Sequence, residues 1–265
     1  MDLQLGGRTA LVTGSSSGIG LAIATALARE GAAVTLNGRD GGRLAEAREK
    51  LLIEVPGAQV GAVAADVSGA AGVAALVEAV PDVDVLVNNA AVYGPAQFAD
   101  VTDAEWIRYF EANVLSGVRL ARHHLGRMLA RNHGRIVFIG SDAALEVSPE
   151  MIHYAVTKSA VLTLARGLAE LTRGTAVTIN SVLPGPTRTG GLGTVMDTVS
   201  EQLGMPRTAL EDGFFTQGRP SSLVQRFLFP DEIANLVAYL SSDLASATTG
   251  GAVRVDGGYV DHILP

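Results

Sequence analysis

Tyr154 and Lys158 stand four residues apart, the spacing that puts two side chains on one helix face, so a phenol would have a cation one turn away. A free tyrosine titrates near ~10, and two unit charges ~4 Å apart at an effective dielectric of ~20 interact by roughly 4 kcal/mol, about three pKa units. The lysine is therefore expected to draw Tyr154 toward neutrality. A phenol poised there gives or takes a proton at cellular pH, which carbonyl reduction or alcohol oxidation requires. The same spacing occurs on many solvated helices, so the pair carries weight only with its surroundings.

A second constellation lies near the start of the chain. Thr13-Gly14-Ser15-Ser16-Ser17-Gly18-Ile19-Gly20 follows an apolar β-type run and opens an Ala/Leu-rich helical stretch. Glycines there permit a tight turn and close approach of backbone N–H groups, with the positive helix end facing a pyrophosphate. The spacing is not Gly-x-Gly-x-x-Gly, and a plain Gly/Ser turn is the simpler alternative. The second strand ends Leu36-Asn37-Gly38-Arg39, with no acid at 36–39 to hold the adenosine ribose hydroxyls. Gly38 leaves room, and Arg39 can fork onto a 2′-phosphate while stacking on adenine, with Ser16 and Ser17 as hydroxyl donors. NADP(H) is the expected cofactor. NAD(H) stays possible if Arg39 is only a solvated loop residue and Asp40 takes the ribose.

These residues need a scaffold, and the 265-residue chain supplies one. With 48% hydrophobic residues and no low-complexity tract, it suits one α/β domain. Strands are expected near Thr9–Val12, Ala33–Asn37, Gln59–Ala64, Val83–Asn88, Arg135–Ile139, Thr175–Val182 and Ala252–Val255. Helices are expected near Ile19–Glu30, Arg43–Leu52, Ala70–Val80, Thr102–Arg131 with a break around Asn113, Met151–Leu171 and Asp231–Ser241. Apolar strands without clean alternation fit a doubly wound parallel sheet of about seven strands with helices on both faces, whose ligands sit at the carboxyl ends of the strands. Residues 186–229 break the rhythm. An excursion of that length is expected to be a lid over the site.

Composition narrows the partners. No apolar stretch approaches the roughly 20 residues of a membrane span, and the N-terminus lacks a signal-peptide layout, so a cytoplasmic protein is expected. There are no cysteines, the five histidines are scattered, and no metal site is expected. A net charge of −7 without a basic run argues against nucleic acid, leaving small molecules.

With these residues in view, the chain resembles the short-chain dehydrogenase/reductase family in its single-domain, Rossmann-like form, nearly end to end. The resemblance rests on Thr13–Gly20, Asp66-Val67, Asn88-Asn89-Ala90-Ala91, Asn113, Ser141, Tyr154-x-x-x-Lys158, Pro184-Gly185-Pro186-Thr187-Arg188-Thr189 and Arg254-Val255-Asp256-Gly257-Gly258. It implies that Tyr154 is the proton donor and that Ser141 donates to the same substrate oxygen. It further implies that Lys158 tunes Tyr154 and holds the nicotinamide ribose, while Asn113 anchors a relay water. Cofactor contacts are implied for Gly14, Ser16, Ser17, Gly18, Ile19, Gly20, Arg39, Asp66, Val67, Asn89, Ala90, Ala91, Tyr154, Lys158, Pro184, Gly185, Thr187 and Thr189, with Asp66 on the adenine. Two positions depart from the pattern: Ala91 replaces a glycine, and Gly140 stands where many members carry a second serine. The helices from Asn113 to Arg131 and Met151 to Leu171 imply a homo-oligomer, tetramer or dimer, with Ala155, Ala160 and Ala165 allowing close approach.

Some residues invite plainer readings. Asn113 also suits a helix kink with its amide on the backbone. His153, about 100° round the helix from Tyr154, should point elsewhere. Glu146 and Glu150 read as solvated loop carboxylates, and Trp106 as packing after a capping-box start at Thr102. The 186–229 segment is mainly apolar, through Leu192, Val195, Met196, Leu203, Met205, Leu210, Phe214, Phe215 and Phe227, against Arg188, Arg207, Arg219 and Arg226. That favours a hydrophobic or cyclic ketone. Arginines converging on the mouth would instead favour a carrier-linked 3-oxoacyl thioester. A non-catalytic NADP-binding regulator is the alternative of another kind, against which the intact Asn113, Ser141, Tyr154 and Lys158 argue. A methyltransferase would have no use for the Tyr/Lys pair.

Overall fold

The computed structural model describes residues 2–263, apart from the side chains of residues 191, 192, 194, 195, 198 and 202. Strands β1 (Thr9–Val12), β2 (Ala33–Gly38), β3 (Val60–Ala64), β4 (Val85–Asn88), β5 (Gly134–Ile139), β6 (Val177–Pro184) and β7 (Ala252–Val255) form one sheet in the order β3-β2-β1-β4-β5-β6-β7. Every pairing is parallel, as the apolar strands suggested. Strand order reverses at β1 and β4, which leaves a crevice beyond their carboxyl ends.

The strands are short and dry because both faces are covered. Ala10 and Val12 of β1 turn toward one core with α1 (Gly18–Arg29), α2 (Gly41–Glu54) and α9 (Pro230–Ser241), where Ile23, Leu27, Leu51 and Val237 meet. Leu11 and Leu86 turn the other way, into a core with α3 (Ala70–Ala79), α5 (Ser116–Arg131) and α6 (Ile152–Glu170). Each fully buried leucine in these layers contributes about 1.5–3 kcal/mol. α5 stops at Asn132, whose left-handed φ of 50° frees its Oδ1 to accept the Ala176 N–H at 2.9 Å.

The expected break near Asn113 is a single π turn, Glu111–Leu115, between α4 (Asp103–Phe110) and α5. Thr102 caps α4 by accepting the Glu105 N–H. The 186–229 segment carries α7 (Gly190–Leu203), α8 (Arg207–Gly213) and a π turn at Phe214–Gly218. Of its apolar members, Leu192 and Val195 lie outside the described side chains, while Met196, Phe215 and Phe227 form a small buried core of their own.

Of the three alanines expected to allow close approach of a second copy, Ala160 is half-buried and two are covered by the chain itself. Ala155 and Ala165 are buried within the chain itself, because the face of α6 that carries Ala165 packs on the second core. α6 exposes Val156 instead. Among the described residues, no helix is long and apolar enough to cross a membrane.

Candidate active site

The crevice beyond β1 and β4 opens into a cleft of about 720 Å³. At its end beyond β1 the loop after the strand is shaped by main chain. Gly14 and Gly18 take φ of 62° and 58°, and a Cβ on Gly14 would come within 2.9 Å of the Ala90 Cα. A Cβ on Gly20 would sit 2.4 Å from the Gly14 carbonyl oxygen and 2.5 Å from Asn89 Nδ2. Neither contact is possible, so only glycine fits there. Asn89 Nδ2 donates to the carbonyls of Thr13 and Gly14 at 2.9 and 3.0 Å, and the N–H groups of Asn89 and Ala90 both donate to Thr13 Oγ1. The loop is thereby pinned to the end of β4. Thr13 is the clamp that sequence reading passed over, for want of any mark on a buried threonine before a glycine.

Ser17, Gly18, Ile19 and Gly20 line the cleft where α1 begins, and the Ser17 hydroxyl caps no helix N–H. Arg39 lines it too, joined by Arg43, which the sequence did not single out. Asp40 is engaged elsewhere: its Oδ1 accepts the Arg43 N–H at 3.0 Å and caps α2. Asp66 accepts from the Ser68 hydroxyl at 2.7 Å and its N–H at 3.0 Å. Those bonds, helped by Arg39 and opposed by burial, hold its carboxyl below the usual range. Ser16, Asp66 and Val67 are not among the lining residues: Ser16 is half-buried, Asp66 exposed, and Val67 buried in the second core.

At the far end Ser141, Tyr154 and Lys158 converge on the same cleft. β5 ends at Ile139 and delivers Ser141, while the first two turns of α6 deliver Tyr154 and Lys158. Burial pushes the Tyr154 phenol above its ordinary pKa, with Asp142 adding to the rise and the Ser141 hydroxyl opposing it. The downward shift expected from Lys158 does not occur. Its Nζ lies 5.6 Å from the centre of the tyrosine ring and donates to the Ile139 carbonyl at 2.7 Å, and burial lowers the lysine itself to about 8. Desolvation outweighs the pair attraction at this distance.

Asn113 is not in the cleft wall. Its Oδ1 accepts the Val92 N–H at 2.7 Å, and its Nδ2 donates to the Val92 carbonyl at 3.0 Å and to Thr157 Oγ1 at 2.9 Å. Thr157 in turn donates to the Tyr154 carbonyl. The side chain thus ties the loop after β4 to the tyrosine's own turn. Its amide is on the backbone, as a kink residue's would be.

Ala90, Ala91, Pro184, Gly185, Thr187 and Thr189 complete the expected lining. Thr189 Cγ2 lies 3.2 Å from where a Gly18 Cβ would be, so the loops after β1 and β6 nearly touch. Gly140 backs the wall, where a Cβ would come within 3.1 Å of Leu162. A bridge between Thr187 and Leu228 closes the stem of the 186–229 segment. From that segment Phe214 and Phe227 reach the cleft, their ring centres 5.0 Å apart. Tyr93, opposite, meets Tyr154 edge-on at 6.3 Å.

The four arginines of the segment do not converge. Arg188 and Arg207 pair with Glu211, Arg207 also with Asp197, and Arg226 with Glu232. Arg219 alone enters the cleft, and it pairs with Asp142. His153 is buried edge-on to Tyr109 and Trp106, away from the cleft as its helix position implied. Glu146 and Glu150 also lie outside the lining. Glu146 meets Asp261 and His262 at the surface, a grouping of possible ligand atoms that sequence spacing does not announce.

This fold and cleft are those of a doubly wound nucleotide-binding oxidoreductase, and the comparisons with known proteins agree. The chain belongs to the short-chain dehydrogenase family, whose model matches residues 8–199. It is 45% identical over 264 residues to the uncharacterised oxidoreductase YvaG of Bacillus subtilis, with 100% of each chain covered. It is 36% identical to 2-(S)-hydroxypropyl-CoM dehydrogenase 3 of Xanthobacter autotrophicus, covering 97% of this chain and 98% of that one. Among solved structures it superposes on L-sorbose reductase of Gluconobacter frateurii, complexed with NADPH and L-sorbose, with a TM-score of 0.94 at 33% identity. That match covers 99% and 100% of the two chains.

Proposed function

We propose that this oxidoreductase interconverts a ketone and a secondary alcohol with NADP(H), and that its substrate is a hydrophobic or cyclic ketone. The observation that carries the reading is the meeting of Ser141, Tyr154 and Lys158 at one end of a cleft whose other end is a glycine cradle flanked by Arg39 and Arg43. The cradle suits a pyrophosphate, since Gly14, Gly18 and Gly20 line the cleft where α1 begins. Arg39 and Arg43 suit a 2′-phosphate, and Asp40, spent as a helix cap, does not compete for the ribose. The NADPH in L-sorbose reductase supports the same preference. Bound NADP(H) supplies or accepts the hydride.

The rest is the work of the chain's own side chains. Tyr154, held protonated by burial, gives its phenolic proton to the substrate oxygen. Ser141 donates to that oxygen as charge grows there. Lys158, with a pKa of about 8, is mainly charged at neutral pH and offsets the negative charge left on Tyr154. Asn113 positions the tyrosine turn through Thr157. Segment 186–229 acts as a lid, turning Phe214 and Phe227 toward the substrate. With its arginines already paired, the lid suits an apolar ketone better than a carrier-linked 3-oxoacyl thioester.

Tyr154→Phe tests the assignment: turnover should fall by about 10²-fold or more with NADPH affinity nearly unchanged. A variant keeping more than about a tenth of the rate would show that another group is the acid. The cofactor preference has its own test in Gly38→Asp. A Cβ there would lie an ordinary 3.5 Å from Leu44 and Ser16, so the change adds charge without strain. The new carboxylate should repel a 2′-phosphate and turn the preference to NADH. Equal catalytic efficiency with both cofactors in the unaltered protein would end this reading.

A further inference from the structure

Three of the four arginines in segment 186–229 meet partly exposed carboxylates. Arg219 differs. It crosses the cleft to Asp142, whose side chain is 5% exposed and which directly follows Ser141. Asp142 uses both oxygens: Oδ1 accepts the Ser141 hydroxyl at 3.0 Å, and Oδ2 accepts Arg219 Nη1. The guanidinium is seated 4.0 Å over the Tyr259 ring and 5.5 Å from the centre of Phe214. Ser141, Asp142 and Arg219 thus form one continuous chain from the serine beside Tyr154 to the segment.

An unpaired carboxylate at Asp142 would harm carbonyl reduction twice. It would hold the hydrogen that Ser141 must give to the substrate oxygen, and its field would oppose the negative charge growing there. We propose that Asp142 and Arg219 are a positioning pair for Ser141. Arg219 draws the carboxylate's charge toward Oδ2, weakens the Ser141–Oδ1 bond and cancels the field at the reacting oxygen. The inference rests on the carbonyl-reducing role given above to Ser141 and Tyr154. It makes seating of segment 186–229 a condition for a competent serine, since the neutralising charge arrives from that segment.

The test is a double-mutant cycle, read as steady-state reduction by NADPH of the best substrate in a panel of alicyclic and aryl ketones. Arg219→Met should lower kcat about tenfold or more while the KM for NADPH stays put. Asp142→Asn should cost less than Arg219→Met. The double variant Asp142→Asn/Arg219→Met, which buries no charge, should recover at least about fivefold of the loss. Arg219→Lys, keeping the charge, should fall between Arg219→Met and the unaltered enzyme. An unchanged kcat in Arg219→Met, or a double variant as slow as Arg219→Met, overturns the proposal. Should Arg219→Met not fold, the double variant and Arg219→Lys decide: both slower than Asp142→Asn would overturn it. Tyr154→Phe separates the layers. If it stays active, the function assigned to the site is wrong; if it is inactive while Arg219→Met is normal, only the pairing is wrong.

Discussion

At the glycine cradle beyond β1 the wall of the cleft is main chain, and at the 186–229 end the walls are side chains. Around Gly14, Gly18 and Gly20 the shape is set by backbone that admits no Cβ, pinned by Asn89 and Thr13. Around Phe214, Phe227, Arg219 and Tyr93 the shape is set by which side chains happen to project, on a segment tied at its stem and packed on a core of three buried residues. A backbone wall cannot be retuned one residue at a time, so the cradle suits a ligand part that never varies, whereas Arg39 and Arg43 beside it are side chains and open to change. A side-chain wall can be changed singly, so it suits the part that varies.

Gly20→Ala attacks the first wall and should have the largest effect. The clash is with a carbonyl oxygen held by Asn89, which cannot swing aside. Overpacking of this kind costs about 1–3 kcal/mol. Fluorescence titration should show NADPH binding weakened by about tenfold or more, with a lower melting temperature. Binding at the original affinity would mean that the cradle yields, and the contrast between the two ends would lose its basis.

The same contrast explains what the sequence disclosed. The parallel sheet, the cradle and the Ser141–Tyr154–Lys158 convergence were legible because each depends on backbone shape or on a fixed spacing along β1, β5 and α6. Asp142, Tyr93 and Arg43 were not, because their places depend on chains packing across the cleft from distant segments. The Tyr154 pKa was misjudged for a related reason. Helical spacing gives the separation of two side chains, but burial, which dominates both shifts, belongs to the whole assembled core. Ala155 and Ala165 show the same limit: small residues mark a close approach without saying whether the neighbour is this chain or another.

Phe214→Ala probes the second wall and should act more narrowly. Phe214 is half-buried and packs on Phe215 and Phe227, so its loss enlarges the cleft without emptying the main cores. The KM for alicyclic ketones should rise about tenfold, matching roughly 1.4 kcal/mol of lost apolar contact, while NADPH affinity holds. Loss of NADPH affinity in step with ketone affinity would show that the two ends are not separable.

The seam, where Lys158 lies between the two walls, is tested through stability and not through ligand affinity. Burial lowers its pKa from 10.5 to about 8, so the folded protein holds this proton less tightly than the unfolded chain does. Below about pH 8 both states are protonated, and folding carries the full penalty of a buried ammonium. Above it the folded protein releases the proton while the unfolded chain keeps it, so this group's contribution to stability rises with pH. Phenols with raised pKa values, Tyr109 and Tyr154, work the other way only above about 10. Comparing the protein with Lys158→Met by urea unfolding isolates the lysine. Between pH 7 and 10 the unaltered protein should gain at most about 2–3 kcal/mol relative to the variant. Parallel curves would mean that Lys158 keeps an ordinary affinity for its proton, and that the seam is wetter than the Ile139 contact and its burial imply.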